Sequence, residues 1–207
     1  MTIPDAWRRD LERRLSGGQR VILGLAGTPG AGKSSLAEAL GESFGVSATV
    51  VPMDGFHLAN VELARLGLSG RKGAPQTFDV HGYVALLRRI RTAGSETTVY
   101  APVFRRDIEE PIAGAIAVLP QHRLVITEGN YLLLNHAGWA SVAPLLDLTW
   151  YVDIDAAARH ARLVARHMHF GRSRTEAEHW IASNDALNAD LVETSKDRAD
   201  RIVSWPM

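Results

Sequence analysis

The chain has 207 residues, 46% of them apolar and 22% charged, which fits an ordinary globular protein and argues against a disordered, fibrous or multidomain chain. Lys plus Arg number 23 and Asp plus Glu number 23, so there is no global basic footprint for nucleic acid or an anionic membrane, and any phosphate chemistry must use local charge. The lack of cysteine removes disulfides, thiolate zinc sites and a thiol nucleophile, and suits a reducing, cytoplasmic setting.

Trp7, Leu11 and Leu15 recur at four-residue steps among charged neighbours, which predicts an amphipathic helix rather than a secretory signal. No apolar run approaches the roughly 18 residues of a membrane span. After Gly17-Gly18 the nearly unbroken apolar run 21–26 reads as a strand buried on both faces. Leu36, Leu40 and Phe44 predict a helix ending near Gly45, and 48–51 a second strand stopped by Pro52. Helices follow at 58–66 and 81–92, a strand at 97–103 and β structure through 112–119. Strands at 122–127 and 148–152 flank a short helix over 139–146. Helices at 155–168 and 175–194 precede a last strand at 201–203. Residues 67–79, with three glycines and the adjacent cations Arg71 and Lys72, have little periodicity and form a long loop of functional type. This alternation predicts an α/β fold of three layers, a mostly parallel sheet with helices on both faces, in one domain over 1–207.

Gly27-Thr28-Pro29-Gly30-Ala31-Gly32-Lys33-Ser34 matches G-x-x-x-x-G-K-[ST] at every fixed position, directly after a strand and before a helix. Glycines let successive backbone N–H groups turn toward phosphate oxygens, and the positive end of the following helix adds to them. Lys33 would reach the β and γ phosphates, the hydroxyl of Ser34 is a hard ligand for Mg²⁺, and Ser35 continues the cradle. A chance match is expected in fewer than about one chain in a hundred. Leu15-Ser16-Gly17-Gly18-Gln19 reproduces an ABC-transporter signature but precedes the phosphate loop, so it reads as a helix terminus. A dinucleotide fold would want G-x-G-x-x-G, which these glycines do not form.

Ligands of open α/β sheets sit at the carboxyl ends of strands, which draws attention to Asp54 and Glu128. Asp54 in Asp54-Gly55 could be a turn residue, but opposite a phosphate loop it is placed to take the proton of an acceptor hydroxyl. Glu128 is an acid placed to hold Mg²⁺ through water. Asp153 and Asp155 read better as helix-capping residues. On helix 155–168, Ala161, Val164, Ala165 and Met168 form one stripe, with Arg159, Arg162 and Arg166 opposite. With Gly171-Arg172-Ser173-Arg174 beyond them, these arginines suggest a mobile lid near 166–175. His167 and His169 lack an obvious third ligand for zinc.

These residues resemble a family of P-loop kinases that groups phosphoribulokinase, uridine kinase and bacterial pantothenate kinase. The likeness rests on Gly27 to Ser34, Asp54-Gly55-Phe56-His57-Leu58, Arg71-Lys72-Gly73-Ala74-Pro75, Phe78-Asp79, Glu128-Gly129-Asn130-Tyr131 and the segment from Arg162 to Arg172. It runs from about Val21 to Val203 and is nearest to the short chains called fructose transport system kinases or nucleoside/nucleotide kinase family proteins. The resemblance implies ATP and Mg²⁺, with Asp54 as the catalytic aspartate, Glu128 as the Walker B-like acid and Arg162, Arg166 and Arg172 as lid cations, Arg166 with a catalytic role beside Lys33. It implies a substrate-covering region over 58–118, from which Arg71, Lys72, Phe78, Asp79, Tyr100 and Arg105, together with His57, Glu128 and Asn130, would meet the acceptor. The segment Ala101-Pro102-Val103-Phe104-Arg105 is similar to the acceptor segment of uridine and pantothenate kinases, except that Arg105-Arg106 stand where those have a histidine. Uridine kinase also has a tyrosine where His57 stands.

The expected activity is transfer of the ATP γ-phosphate to a hydroxyl of a small molecule, a sugar such as fructose, with a nucleoside or pantothenate-type acceptor as the alternative. A regulatory nucleotide-binding module is the rival of another class; a GTPase would want Asn-Lys-x-Asp, and no Asn-Lys pair occurs. Neither nucleic acid nor membrane is an expected partner, and the resemblance implies a homodimer.

Overall fold

A computed structural model describes residues 2–205; Met1, Pro206 and Met207, the ends of the expected 1–207 domain, lie outside the described residues. Five strands form one parallel sheet in the order β2-β5-β1-β6-β7, with β1 Val21–Ala26, β2 Ala48–Pro52, β5 Leu124–Glu128, β6 Leu148–Asp153 and β7 Arg201–Ser204. The apolar runs of β1, β5 and β6 fill the middle, where both faces are covered. Two core clusters lie on opposite faces. One packs α1 (Asp5–Leu15) and α2 (Lys33–Phe44) against Leu25, Ile126 and Trp150, with Trp7 edge-on to Trp150 at 5.3 Å. The other gathers Tyr83, Leu87, Tyr131, Trp139 and Val125 under α4 (Val80–Thr92).

Register decides where the chemistry falls. Leu25 of β1 and Pro52 of β2 both pair with Glu128 of β5, so the three strands end level and release Gly27, Asp54 and Gly129 along one edge. The expected strands near 97–103 and 112–119 do not join this sheet. They form a separate antiparallel ribbon, β3 (Val99–Arg105) with β4 (Glu110–Val118), which carries a register shift between Ala101 and Val103.

Other departures are local. The helix expected at 139–146 is a pair of 3₁₀ turns, Ala137–Ser141 and Ala143–Leu145, because Pro144 has no N–H to continue an α-helix. Helix 58–66 shortens to α3 (Asn60–Arg65), and the 67–79 loop contains 3₁₀ turns at Ser69–Arg71 and Pro75–Thr77. The expected helix 175–194 is broken into α6 (Arg174–Trp180), a π-helical turn Ile181–Asp185 and α7 (Ala186–Glu193). The Leu15 to Gln19 segment ends α1 as a turn, with Gly18 at φ 82°.

On α5 (Ala156–His169), Leu163, Val164 and His167 are buried, while Ala161, Ala165 and Met168, the last 47% accessible, face outward. The half-buried arginines Arg159, Arg162 and Arg166 lie toward the protein because this helix covers a polar cavity rather than the sheet.

A buried hydrogen-bond chain ties α4 to the sheet. The Tyr83 hydroxyl lies 2.5 Å from Thr127 Oγ1, which donates to the carbonyl of Val51 at 2.7 Å. Burial pushes the Tyr83 hydroxyl well above its ordinary pKa, so it stays a donor. Tyr83→Phe should cost about 1 kcal/mol, read as a lower urea midpoint at unchanged slope.

Candidate active site

Gly27 leaves β1 at φ 150°, and a Cβ there would lie 2.6 Å from the carbonyl oxygen of Val152, so the loop turns where only glycine fits. Gly32, at φ 96°, caps α2, whose first turn carries Lys33, Ser34 and Ser35. The Lys33 ammonium is buried and donates to the Thr28 carbonyl at 2.9 Å and to Asn130 Oδ1 at 2.8 Å. Burial lowers its pKa to about 8, against the raising pull of Glu128 and Asp54. Ser34 Oγ donates to Glu128 Oε1 at 3.0 Å. Glu128 is itself buried, and its pKa is raised by desolvation and by the negative charge of Asp54, with Lys33 and Ser34 opposing.

Asp54 follows β2 in the 3₁₀ turn Met53–Phe56, and Arg106 Nη2 donates to its Oδ2 at 3.1 Å. The next residue must be glycine because a Cβ at Gly55 would stand 2.5 Å from the carbonyl oxygen of Pro102 in β3. Gly55→Ala would push either β3 or Asp54 aside. The expected cost is about 1–3 kcal/mol, seen as a fall of several degrees in Tm together with reduced turnover. His57 lies between Phe78 and Phe104, at ring separations of 4.0 and 4.5 Å, and its Nδ1 is 2.7 Å from the Asp54 carbonyl. Burial lowers its pKa, so the ring is neutral near pH 7, with the proton on Nδ1 because a carbonyl only accepts.

A cavity of about 650 Å³ joins these groups. Its walls bring together Pro29, Gly30, Gly32, Lys33, Ser34 and Ser35 of the phosphate loop with Asp54, His57, Lys72, Phe78, Glu128 and Asn130, and with Arg162, Arg166 and Arg172 from the α5 side. Gly27, Thr28 and Ala31 shape the loop without lining the cavity; Arg162 Nη1 reaches the Ala31 carbonyl at 3.5 Å. Arg166 is 3.9 Å from Asp185, with its pKa lowered by burial, and Arg172 stacks over Trp180 at 4.1 Å. Because Arg172 Nη1, which only donates, lies 2.7 Å from His167 Nδ1, the His167 proton sits on Nε2 and points to Asp185 at 2.8 Å.

Four expected acceptor residues lie elsewhere. Tyr100 is 58% accessible on the outer face of the ribbon. Arg105 forms a two-pronged pair with Asp107 in solvent, at 2.8 and 2.6 Å. Asp79 is a helix cap that accepts from Gly82 N at 2.8 Å. Arg71 binds the Ser183 carbonyl and Asn184 Oδ1, tying the 69–71 turn to the π-helical segment. Asp155 caps α5 as expected, whereas Asp153 caps no helix: it ends β6 and pairs with Lys196. The cavity also holds Arg106, which with Arg71, Lys72 and Arg105 is a candidate from the sequence for meeting an anionic acceptor, and Asp185 and Asn188, which the sequence left unassigned. Only Arg106 had a signal, its place next to the proline-aromatic segment.

The glycine cradle with a buried ammonium fits a polyphosphate, and the Ser34 hydroxyl beside the buried Glu128 carboxylate fits a hard divalent cation, whose charge would relieve the repulsion between Glu128 and Asp54. No helix among the described residues is long and apolar enough to cross a membrane.

Comparison with known proteins points the same way. The profile described as "Phosphoribulokinase / Uridine kinase family" matches residues 22–205. The Schizosaccharomyces pombe protein named "Putative uridine kinase C227.14" is 36% identical over 196 residues, covering 89% of this chain and 83% of that one. The Escherichia coli protein named "Uncharacterized protein YggC" is 33% identical over 190 residues, 89% of this chain and 78% of its own. The crystal structure of a "putative fructose transport system kinase" from Silicibacter sp. TM1040 has a TM-score of 0.82 at 38% identity, over 91% of this chain and 90% of that one.

Proposed function

The chain belongs to the phosphoribulokinase / uridine kinase family, and on that premise we propose that it is an ATP- and Mg²⁺-dependent kinase acting on a hydroxyl of a small molecule. The observation that carries this reading is that Asp54 and the Lys33, Ser34, Glu128 cluster line one cavity from three strand ends. The cradle and Lys33 hold the triphosphate, and Ser34 and Glu128 hold the metal. Mg²⁺, when bound, supplies charge neutralisation across the β and γ phosphates.

The acceptor oxygen forms its bond to the γ-phosphorus as the bond from that phosphorus to the β–γ bridging oxygen breaks. ADP leaves with the bridging electron pair, the hydroxyl proton passes to Asp54, and solvent later takes it. Lys33 and the arginines Arg162, Arg166 and Arg172 balance charge on the transferring group, and closure of the α5 side over the phosphates excludes water that would otherwise compete.

A sugar such as fructose and a nucleoside such as uridine are the acceptor classes suggested by the names of the relatives. The test is ADP release from Mg-ATP with a panel of both classes, with the phosphorylated product identified by mass. A phosphorylated small molecule supports the reading. Tight ATP binding with no product from any acceptor favours a nucleotide-dependent binding module instead.

A further inference from the structure

Arg106 sits in the turn of the ribbon, between Arg105 at the end of β3 and Glu110 at the start of β4, with its side chain 43% accessible. Its guanidinium carries five donors, and its one hydrogen bond among the described residues is to Asp54 Oδ2. That bond lies on the carboxylate which, in the kinase reading, must receive the acceptor's proton. The turn around Arg106 is pinned. Asn60 N donates to the Glu110 carboxylate at 3.0 and 3.3 Å, Asn60 Nδ2 donates to the Glu109 carbonyl at 3.2 Å, and Lys72 bonds Asn60 Oδ1 at 2.6 Å and the Glu109 carbonyl. The backbone of the turn is thus braced, and the part of Arg106 left to move is its side chain. Lys72 is engaged by its own partners, whereas Arg106 has donors to spare beyond the one it gives Asp54.

A neutral acceptor offers Arg106 nothing better than Asp54. A phosphate or carboxylate offers charge and a matching fork of oxygens. We propose that the acceptor is a small hydroxyl compound bearing a phosphate or carboxylate group, and that this anion draws Arg106 off Asp54, so that the base is uncovered only when the correct acceptor is bound. This rests on the kinase reading above. His57 fits the same picture, because with its proton on Nδ1 its Nε2 presents a lone pair that can accept a hydroxyl of the acceptor.

The test compares neutral and anionic partners with Mg-ATP: fructose against fructose 6-phosphate, and glycerol against glycerate and glycerol 3-phosphate. Wild type should favour an anionic member in kcat/KM by at least about tenfold, and the glycerate and glycerol 3-phosphate arms separate carboxylate from phosphate. Arg106→Ala should lower kcat/KM for the favoured anion by at least about tenfold and raise it for the neutral partner, with Arg106→Lys between the two. A loss shared equally by neutral and anionic members marks a structural role and overturns the proposal, as does a wild-type preference for the neutral compounds.

Calorimetry on protein loaded with Mg²⁺ and a non-hydrolysable ATP analogue reads the anion site without turnover. Equal affinity of wild type and Arg106→Ala for the anionic compounds, or no binding of any of them, also overturns it. Turnover of the neutral compounds alone would leave the kinase reading standing and sink this one. Arg106-dependent anion binding with no product from any acceptor would count against the kinase reading, and with it would overturn the uncovering of a base, leaving an anion site alone.

Discussion

Asp54→Asn is expected to lower kcat by about 10²–10⁴-fold while ATP affinity near neutral pH stays within a few-fold of wild type. The amide keeps the shape of the carboxyl group, and the contact from His57 is to the Asp54 backbone carbonyl, so the turn and the ring beside it should survive. What is lost is the proton acceptor and the charge facing Arg106. The same substitution has an electrostatic signature away from the chemistry: the Asp54 charge raises the pKa of both Lys33 and Glu128. Removing it should therefore move the alkaline loss of ATP affinity to lower pH than in wild type. Titration of nucleotide binding against pH, alongside single-turnover transfer, checks both. Transfer at the wild-type rate would remove Asp54 from the base role.

The phosphate loop was legible because its demands are local: glycines where the chain must turn and a lysine at the helix start. The strands β1, β2 and β5 and the site residues at their carboxyl ends were legible too, since apolar runs mark buried strands and ligands collect past them, whereas the register that sets their ends level was not. Helix α5 shows the limit. Periodicity separates two faces but does not say which is inward, and a helix that covers a polar cavity turns its arginines in and leaves Met168 out. At Arg105 and Arg106 the same problem takes another form. Neighbouring residues at the end of an extended strand point opposite ways, so a choice off by one residue exchanges the solvent pair with Asp107 for the contact with Asp54. Arg71 and Asp79 carry the residue types of a binding site but serve as loop brace and helix cap, roles set by partners distant in sequence or by the exact helix start. Asp185 and Asn188 reach the cavity from a π-helical turn and the helix after it, inside a segment whose pattern reads as one plain helix.

Lys33→Ala should lower kcat/KM by about 10²–10³-fold, because the ammonium is aimed at charge that develops on the transferring phosphoryl group in a site shielded from water. Its protonation gives a second test. Burial holds the Lys33 pKa in the free protein down to about 8, so the neutral amine dominates above that pH. A bound triphosphate stabilises the ammonium and pushes the pKa back up. Nucleotide binding must then take up a proton wherever the pH lies between the free and bound values. Near pH 7 the lysine is already charged and uptake is small; at about pH 9 it should approach one proton, with affinity falling as pH rises through 8. Calorimetry in buffers of different ionisation enthalpy measures this uptake directly. In Lys33→Ala the uptake at alkaline pH should vanish while the residual binding loses its dependence on pH in that range. Equal uptake by wild type and variant would place the titrating group elsewhere and take Lys33 out of contact with the phosphates.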